Sequence, residues 1–337
     1  MKKTLFIASL GLASAGWAIP YGIASPRVLS PASLSAETPL VVQQPADGAR
    51  EPLIRSTTPP QVELLNPGVE PRQQLRLKPA IDVKETTVMT VKMDMEISAS
   101  GRSSPGAKIP VSVMTFETKV TKIDPNGDIH YEFAYTNSDI AGDTGNTQPA
   151  ALDAMRSALK NIVGVKGSFI MDNRGFHKGG DIILPEGADN NVKQMVRQMS
   201  KSLEQIASPL PAEAVGKGAK WRVSSSSDFS GINVNDISTY ELASWQDGVV
   251  SLNVSIEQQA NPQNITDPQL PPGTTLTLKS FASKGRGAAT MRLDRLMPFR
   301  STASVSSNSE MSAKTAGSAE ELTITTKMVM EMTFESK

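Results

Sequence analysis

Apolar and polar residues alternate one for one near both ends of the long C-terminal portion of this chain. In TTVMTVKMDMEIS, Met89, Val91, Met93, Met95 and Ile97 share one parity, while Thr90, Lys92, Asp94 and Glu96 take the other. Successive side chains of a strand point to opposite faces, so this spacing predicts a long strand with one buried face. The segment ELTITTKMVMEMTFESK repeats the pattern. There Leu322, Ile324, Met328, Met330, Met332 and Phe334 alternate with Thr323, Thr325, Lys327, Glu331 and Thr333. Two strands so alike in composition are expected to be neighbours in one sheet.

Shorter strand signals lie between them, separated by turn residues. VSVMTFETKVTKI meets DIHYEFAYTN through Asp124-Pro125-Asn126-Gly127, and SFIMD leads to its successor through Asn173-Arg174-Gly175. STYELASW meets VVSLNVSIEQ through Gln246-Asp247-Gly248, and TLTLKSFAS meets AATMRLDRLM through Lys284-Gly285-Arg286-Gly287. Glycine and its partners supply the positive φ that tight hairpins need, so antiparallel pairing is expected. Two segments instead have helical spacing. PAALDAMRSALKNIV sets Leu152, Met155, Leu159 and Ile162 on one stripe. DNNVKQMVRQMSKSLEQIAS sets Val192, Met195, Val196, Met199, Leu203 and Ile206 on another, with Asp189 or Asn190 as cap. The sum is an α+β fold: a large, curved, mainly antiparallel sheet, half-barrel-like, carrying two principal amphipathic helices.

Upstream of Leu75 the periodicity is absent. Residues 25–74 are dense in Pro, Ser, Gln and Ala and read as a disordered linker, giving reach across an envelope layer or forming a tolerated tail. Before it, Lys2 and Lys3 precede an apolar run from Leu5 to Ala15 and then small residues, the order of a secretory signal peptide over residues 1–18, cut near 15–24. About 11–14 apolar residues are too few to span a bilayer. Residues 75–337 are then a single envelope domain, exported to the periplasm or beyond and expected to be soluble, with no transmembrane span in the mature chain. The sequence has no cysteine, so a disulfide framework, a cysteine-based metal site or nucleophile, and a lipid-modified cysteine are all excluded.

Lys plus Arg (34) balances Asp plus Glu (34), with the signs interspersed, so nothing steers the chain toward nucleic acid. Catalytic motifs also fail on inspection. Ser157-Ala158-Leu159-Lys160, Ser306-Ser307-Asn308 and Lys314-Thr315-Ala316-Gly317 follow the motif order of penicillin-binding proteins, but the second and third sit only a few residues apart. Asp124-Pro125-Asn126-Gly127-Asp128 has its glycine fourth, not sixth as a calcium loop requires, and reads as a hairpin turn. His130 and His177 are the only histidines, with no H-E-x-x-H and no G-x-S-x-G nearby, and read as strand residues. The Gly216-Lys217-Gly218 stretch follows a helical segment and precedes a strand, the reverse of a phosphate loop, so it reads as a turn with Trp221 anchoring the next strand. No cofactor and no enzymatic activity are expected.

The 15 methionines carry more information. Methionine is flexible and polarisable, suited to ordinary core filling and equally to an adaptable apolar site. Met89, Met93, Met95, Met328, Met330 and Met332 are the candidate wall residues for a hydrophobic, lipid-like ligand lying between sheet and helices.

The layout of a leader, a long opening strand, GSFIMDNRGFHKGG, an amphipathic helix and LPAEAVGKGAKWRV resembles an uncharacterised family of secreted bacterial proteins. That family is marked by Leu-Pro, Val-Gly-x-Gly and Trp just after a helix, and the resemblance spans roughly Leu75 to Lys337. By analogy of fold alone it also resembles the lipoprotein-carrier (LolA-like) half-barrel, and fold does not fix function. The leading expectation is an exported, non-enzymatic envelope protein binding a hydrophobic small molecule or lipid. The alternative is a structural or protein-interaction module with an envelope protein as partner. An outer-membrane barrel fits the amphipathic helices less well.

Overall fold

The computed structural model describes residues 50–52, 59–100, 102–103, 107–142, 147, 149–184, 209–229, 232–265, 273–315 and 321–337. In chain order the strands are β1 (Arg50–Pro52), β2 (Gln61–Asn66), β3 (Gln73–Gln74), β4 (Lys84–Ala99), β5 (Arg102–Ser103), β6 (Ala107–Ile123) and β7 (Ile129–Ala141). The helix α1 (Pro149–Lys160) follows, then β8 (Lys166–Met171), β9 (His177–Ile183), β10 (Ala214–Val215), β11 (Lys220–Phe229) and β12 (Ile232–Gln246). β13 (Val249–Ala260), β14 (Gln263–Ile265), β15 (Thr274–Arg292), β16 (Arg300–Thr315) and β17 (Glu321–Ser336) complete the set. One antiparallel sheet follows the path β1-β9-β8-β7-β6-β4-β17-β16-β15-β13-β12-β11-β2, with β14 beside β15 and β5 beside β4. β3 and β10 make a separate two-stranded ribbon.

This architecture corrects the α+β expectation. The described residues are nearly all β, in an open antiparallel sheet with one helix. That helix, α1, is the first of the two expected and buries Met155 and Leu159. The second, over residues 189–207, lies outside the described residues. Two features of the strands account for the shift in class. Lys284-Gly285-Arg286-Gly287 is not a turn: β15 runs straight through it and keeps its register with β13 and β16. A Cβ on Gly285 would lie 2.7 Å from Val305 Cγ2, and one on Gly287 would lie 2.7 Å from the Thr302 carbonyl oxygen. These glycines serve close approach to β16, not chain reversal. β16 itself, rich in serine, shows too little alternation of polarity to stand out as a strand.

The other turn signals behave as expected. β12 and β13 are joined by Asp247 and Gly248, both with positive φ (51° and 75°), as a two-residue hairpin demands. The Asp124–Asp128 turn joins β6 to β7 with Gly127 at φ 87°. β4 and β17 are neighbours along their whole length, from Thr87↔Ser336 to Ala99↔Ile324.

The hairpins β6–β7, β8–β9, β12–β13 and the β15–β16 connection all turn at one end of the sheet, where β4 starts and β17 finishes. A strap of residues 75–79 crosses this end. Its Leu77 N–H donates to the Asn173 carbonyl (2.8 Å) and its Lys78 N–H to the Leu293 carbonyl (2.6 Å). The strap thereby touches the β8–β9 turn on one wing and the β15–β16 connection on the other. Leu75 and Leu77 are buried in a cluster that takes residues from both wings, among them Phe133, Phe169, Tyr240, Leu242 and Leu252. Each large apolar side chain so buried contributes about 1.5–3 kcal/mol. The chain also enters the sheet earlier than its composition suggests. β2, drawn from the Pro-rich stretch, forms an edge beside β11, with Leu64 opposite Trp221 and Val62 opposite Val223.

Candidate functional site

Pairing of β4 with β17 gathers the six methionines into one patch. Met93 faces Met330 across the two strands, Met95 faces Met328, Met332 faces Val91, and Met89 faces Phe334 on one side and Met114 of β6 on the other. Directly opposed residues share a face. Met89, Met93, Met328, Met330 and Met332 are buried, and Met95 is half-buried. The outer face of the same strands carries Lys92, Asp94, Glu96, Lys327 and Glu331 in solvent, so the methionines all belong to the inner face.

The register continues the Met95–Met328 line across the sheet, and there its chemistry changes. Met328 is opposite Ser307, Ser307 opposite Ser283, Ser283 opposite Gln258, Gln258 opposite Asp236, and Asp236 opposite Ser225. Five polar residues thus lie in one transverse row on the inner face of β16, β15, β13, β12 and β11. The row separates two apolar clusters. One is the large cluster at the strapped end. The other, toward the opposite end, comprises Ile232, Val234, Ala260, Ile265, Leu276, Leu278, Phe281 and Met311.

Within the row, Gln258 Nε2 donates to Asp236 Oδ1 (2.6 Å), and beside it Ser227 Oγ donates to Asp236 Oδ2 (2.9 Å). Burial raises the Asp236 pKa above its ordinary carboxyl value, against the pull of these two donors. Gln258 Oε1 and Ser283 Oγ are buried without a hydrogen-bond partner, and Ser283 is only 2% exposed. A buried polar atom left unanswered costs about 1–3 kcal/mol, so such a pair of atoms in register calls for a reason.

The LPAEAVGKGAKW stretch is structural and leads into β11. Its carbonyls are held one after another. Trp221 Nε1 donates to Pro209 O (3.2 Å), Arg174 Nε to Leu210 O (2.9 Å), and Arg76 to Pro211 O (2.9 Å) and Ala212 O (2.7 Å). Trp221 is buried and stacks on Tyr240, ring centroids 5.5 Å apart and 10° from parallel. Gly216 sits where residues 67–71 cross it: its N–H donates to Pro67 O (2.9 Å), and a Cβ there would run into the Val69 carbonyl oxygen. Gly218 adopts φ 80°. The Val-Gly-x-Gly spacing therefore records one close crossing and one left-handed turn.

No other polar group forms a convergent centre among the described residues. Asp124 pairs with Lys122 Nζ (2.7 Å) and His130 Nε2 (2.7 Å), while Lys178 Nζ holds Asp128 Oδ1 at 2.6 Å; these tie down the β6–β7 turn. Burial pushes the His177 pKa down to about 4, keeping its ring neutral beside Tyr131. Glu85, buried, accepts the Leu296 N–H (2.9 Å) and Met297 N–H (3.3 Å), which pins the β15–β16 connection to β4. Ser157 and Lys160 lie exposed on α1, and Ser306, Asn308 and Lys314 on the outer face of β16, with no contact drawing the two sets together. Among the described residues no group of acidic, histidine or cysteine side chains could hold a metal, and no helix is long and apolar enough to cross a membrane.

A family of unknown function, DUF6263, matches residues 184–297, about a third of the chain, and its description names no activity. That span holds the LPAEAVGKGAKW stretch and the strands β10 to β15. No curated protein matches the chain. Among solved structures, the toluene transporter TodX of P. putida aligns over 77% of this chain and 90% of its own, at 10% identity and a TM-score of 0.20. So shallow an overlap carries no common fold.

Proposed function

We infer that this chain is an exported, non-catalytic protein of the cell envelope whose inner sheet face binds an apolar ligand against the methionine patch. One observation carries the reading: Met89, Met93, Met95, Met328, Met330 and Met332 lie side by side on adjacent central strands, all on the inner face. Thioether side chains repack at low cost, which suits a surface that must close on itself and open to a guest. The leader-like residues 1–18 support export.

Mass spectrometry of organic extracts of the purified protein tests this directly, together with displacement of the fluorescent apolar probe N-phenyl-1-naphthylamine. Saturable probe binding that weakens several-fold in a Met93→Ser, Met330→Ser double variant is expected. A protein that carries no extractable apolar molecule and binds no probe sinks the reading. Recovery of the chain from a periplasmic fraction, cut within residues 15–24, checks export separately.

A further inference from the structure

The polar row and the methionine patch share one transverse line of the sheet, and that juxtaposition points to the shape of the guest. Adjacent strands lie about 4.8 Å apart, so about 14 Å separates the Met328 and Gln258 positions, on the scale of a medium-length alkyl chain. At one end of this span stand thioethers. At the other stand Gln258 Oε1 and Ser283 Oγ, directly opposite each other, both buried and neither with a partner. Gln258 cannot turn to satisfy itself, because its Nε2 is committed to Asp236 Oδ1 at 2.6 Å. Its Oε1 is therefore an acceptor waiting for a donor, and Ser283 Oγ can donate or accept. A single hydroxyl between them would donate to Gln258 and accept from Ser283, answering both.

We propose that Gln258 and Ser283 together receive the hydroxyl of an uncharged amphiphile whose alkyl part lies along the Met95–Met328 end of the same row. The proposal rests on the apolar-ligand reading and adds the head group to it. An anionic head is disfavoured because the row contains Asp236 and no basic residue, and a buried charge needs a partner. A purely apolar guest would leave both atoms unanswered.

Competition against N-phenyl-1-naphthylamine with four probes of equal chain length, 1-dodecanol, dodecane, dodecanoate and dodecylamine, tests it on the full chain. Dodecanol is expected to displace the probe best, by about tenfold over dodecane, the value of answering a buried polar pair. Ser283→Ala and Gln258→Met, made singly, are each expected to erase that preference, bringing dodecanol down to the level of dodecane. Ser283→Ala removes only a hydroxyl with no partner, so it carries the test if Gln258→Met fails to fold. Equal displacement by dodecanol and dodecane overturns the head-group assignment and leaves the apolar reading standing. Failure of every probe to compete overturns both. A preference for dodecanoate or dodecylamine overturns the uncharged head. A dodecanol preference that survives both substitutions means the row holds a buried water only, and the proposal falls.

Discussion

The ribbons β6–β7–β8 and β13–β15–β16 belong to one sheet and flank the same central strands, yet they fill their inner faces in opposite ways. The first does so with rings. Phe116, Phe133, Tyr135, Tyr131 and Phe169 are all buried, with centroids 4.8–6.3 Å apart, and Phe133 meets Tyr135 edge to face at 86°. The second, between apolar ends that bury Val250 and Leu252 on one side and Phe281 and Met311 on the other, presents Gln258, Ser283, Gly285, Gly287, Ala289, Ala303, Val305 and Ser307. Alternation of inside and outside is equally strict in both. Ring volume differs: the first wing packs five rings in contact. Both wings bury polar atoms without a partner, Ser112 Oγ, Thr118 Oγ1, Tyr135 Oη and Ser138 Oγ in the first and Gln258 Oε1 and Ser283 Oγ in the second, but only the last two stand directly opposite each other.

Substitutions can press on that contrast. Phe133→Ala should cost about 3–5 kcal/mol in denaturant unfolding, because it empties the centre of the aromatic cluster; a loss below 1 kcal/mol would show that the rings are not the wing's core. Gly285→Ala should cost about 1–3 kcal/mol, since the new Cβ presses on Val305 and the backbone of Ser304. An unchanged midpoint for Gly285→Ala would mean that β15 and β16 are not held so close.

The gentlest probe is pH. Burial raises the Asp236 pKa above 3.8, so the folded state holds its proton more tightly than the unfolded chain does. The stabilisation is complete below the unfolded value and is lost as pH rises through the folded one. Glu85 is raised by burial too and acts with the same sign, so Asp236→Asn is the clean comparison. The variant should gain stability relative to the native chain as pH climbs above about 4, by at most about 1.4 kcal/mol per pH unit, and then level off. A difference flat across pH 3–8 would show that Asp236 is solvated.

Much of the sheet was readable from residues alone. β4 and β17 announce themselves because methionine and charge alternate without a break, and their shared composition pointed to the pairing that the register shows. The Asp-Gly turn between β12 and β13 was equally plain. Gly285 and Gly287 misled because a glycine between apolar runs looks the same whether it turns the chain or admits a neighbour. The expected sheet-and-helix balance failed with them, since each false break shortened a strand and the serine-rich β16 went unseen. The polar row could not be read at all from single strands. Asp236 interrupts the parity of Ile232, Val234, Tyr240 and Leu242, and that interruption is visible in the sequence. Its alignment with Gln258, Ser283 and Ser307 exists only through the registers of three strand pairs. The Val-Gly-x-Gly spacing was legible as a turn, but the crossing of residues 67–71 over Gly216 was not, because its partner lies about 150 residues upstream.

The place of β17 has a consequence for how the molecule comes into being. It joins β4 to β16, and so unites the two wings of the sheet, although it follows every other described strand. Until residues 321–337 pair, β4 and β16 each present a free edge, with the inner methionines of β4 uncovered on one side. Non-local pairings of this span are slow, and unpaired edges invite association. Pairing of β17 therefore closes both exposed edges in a single step.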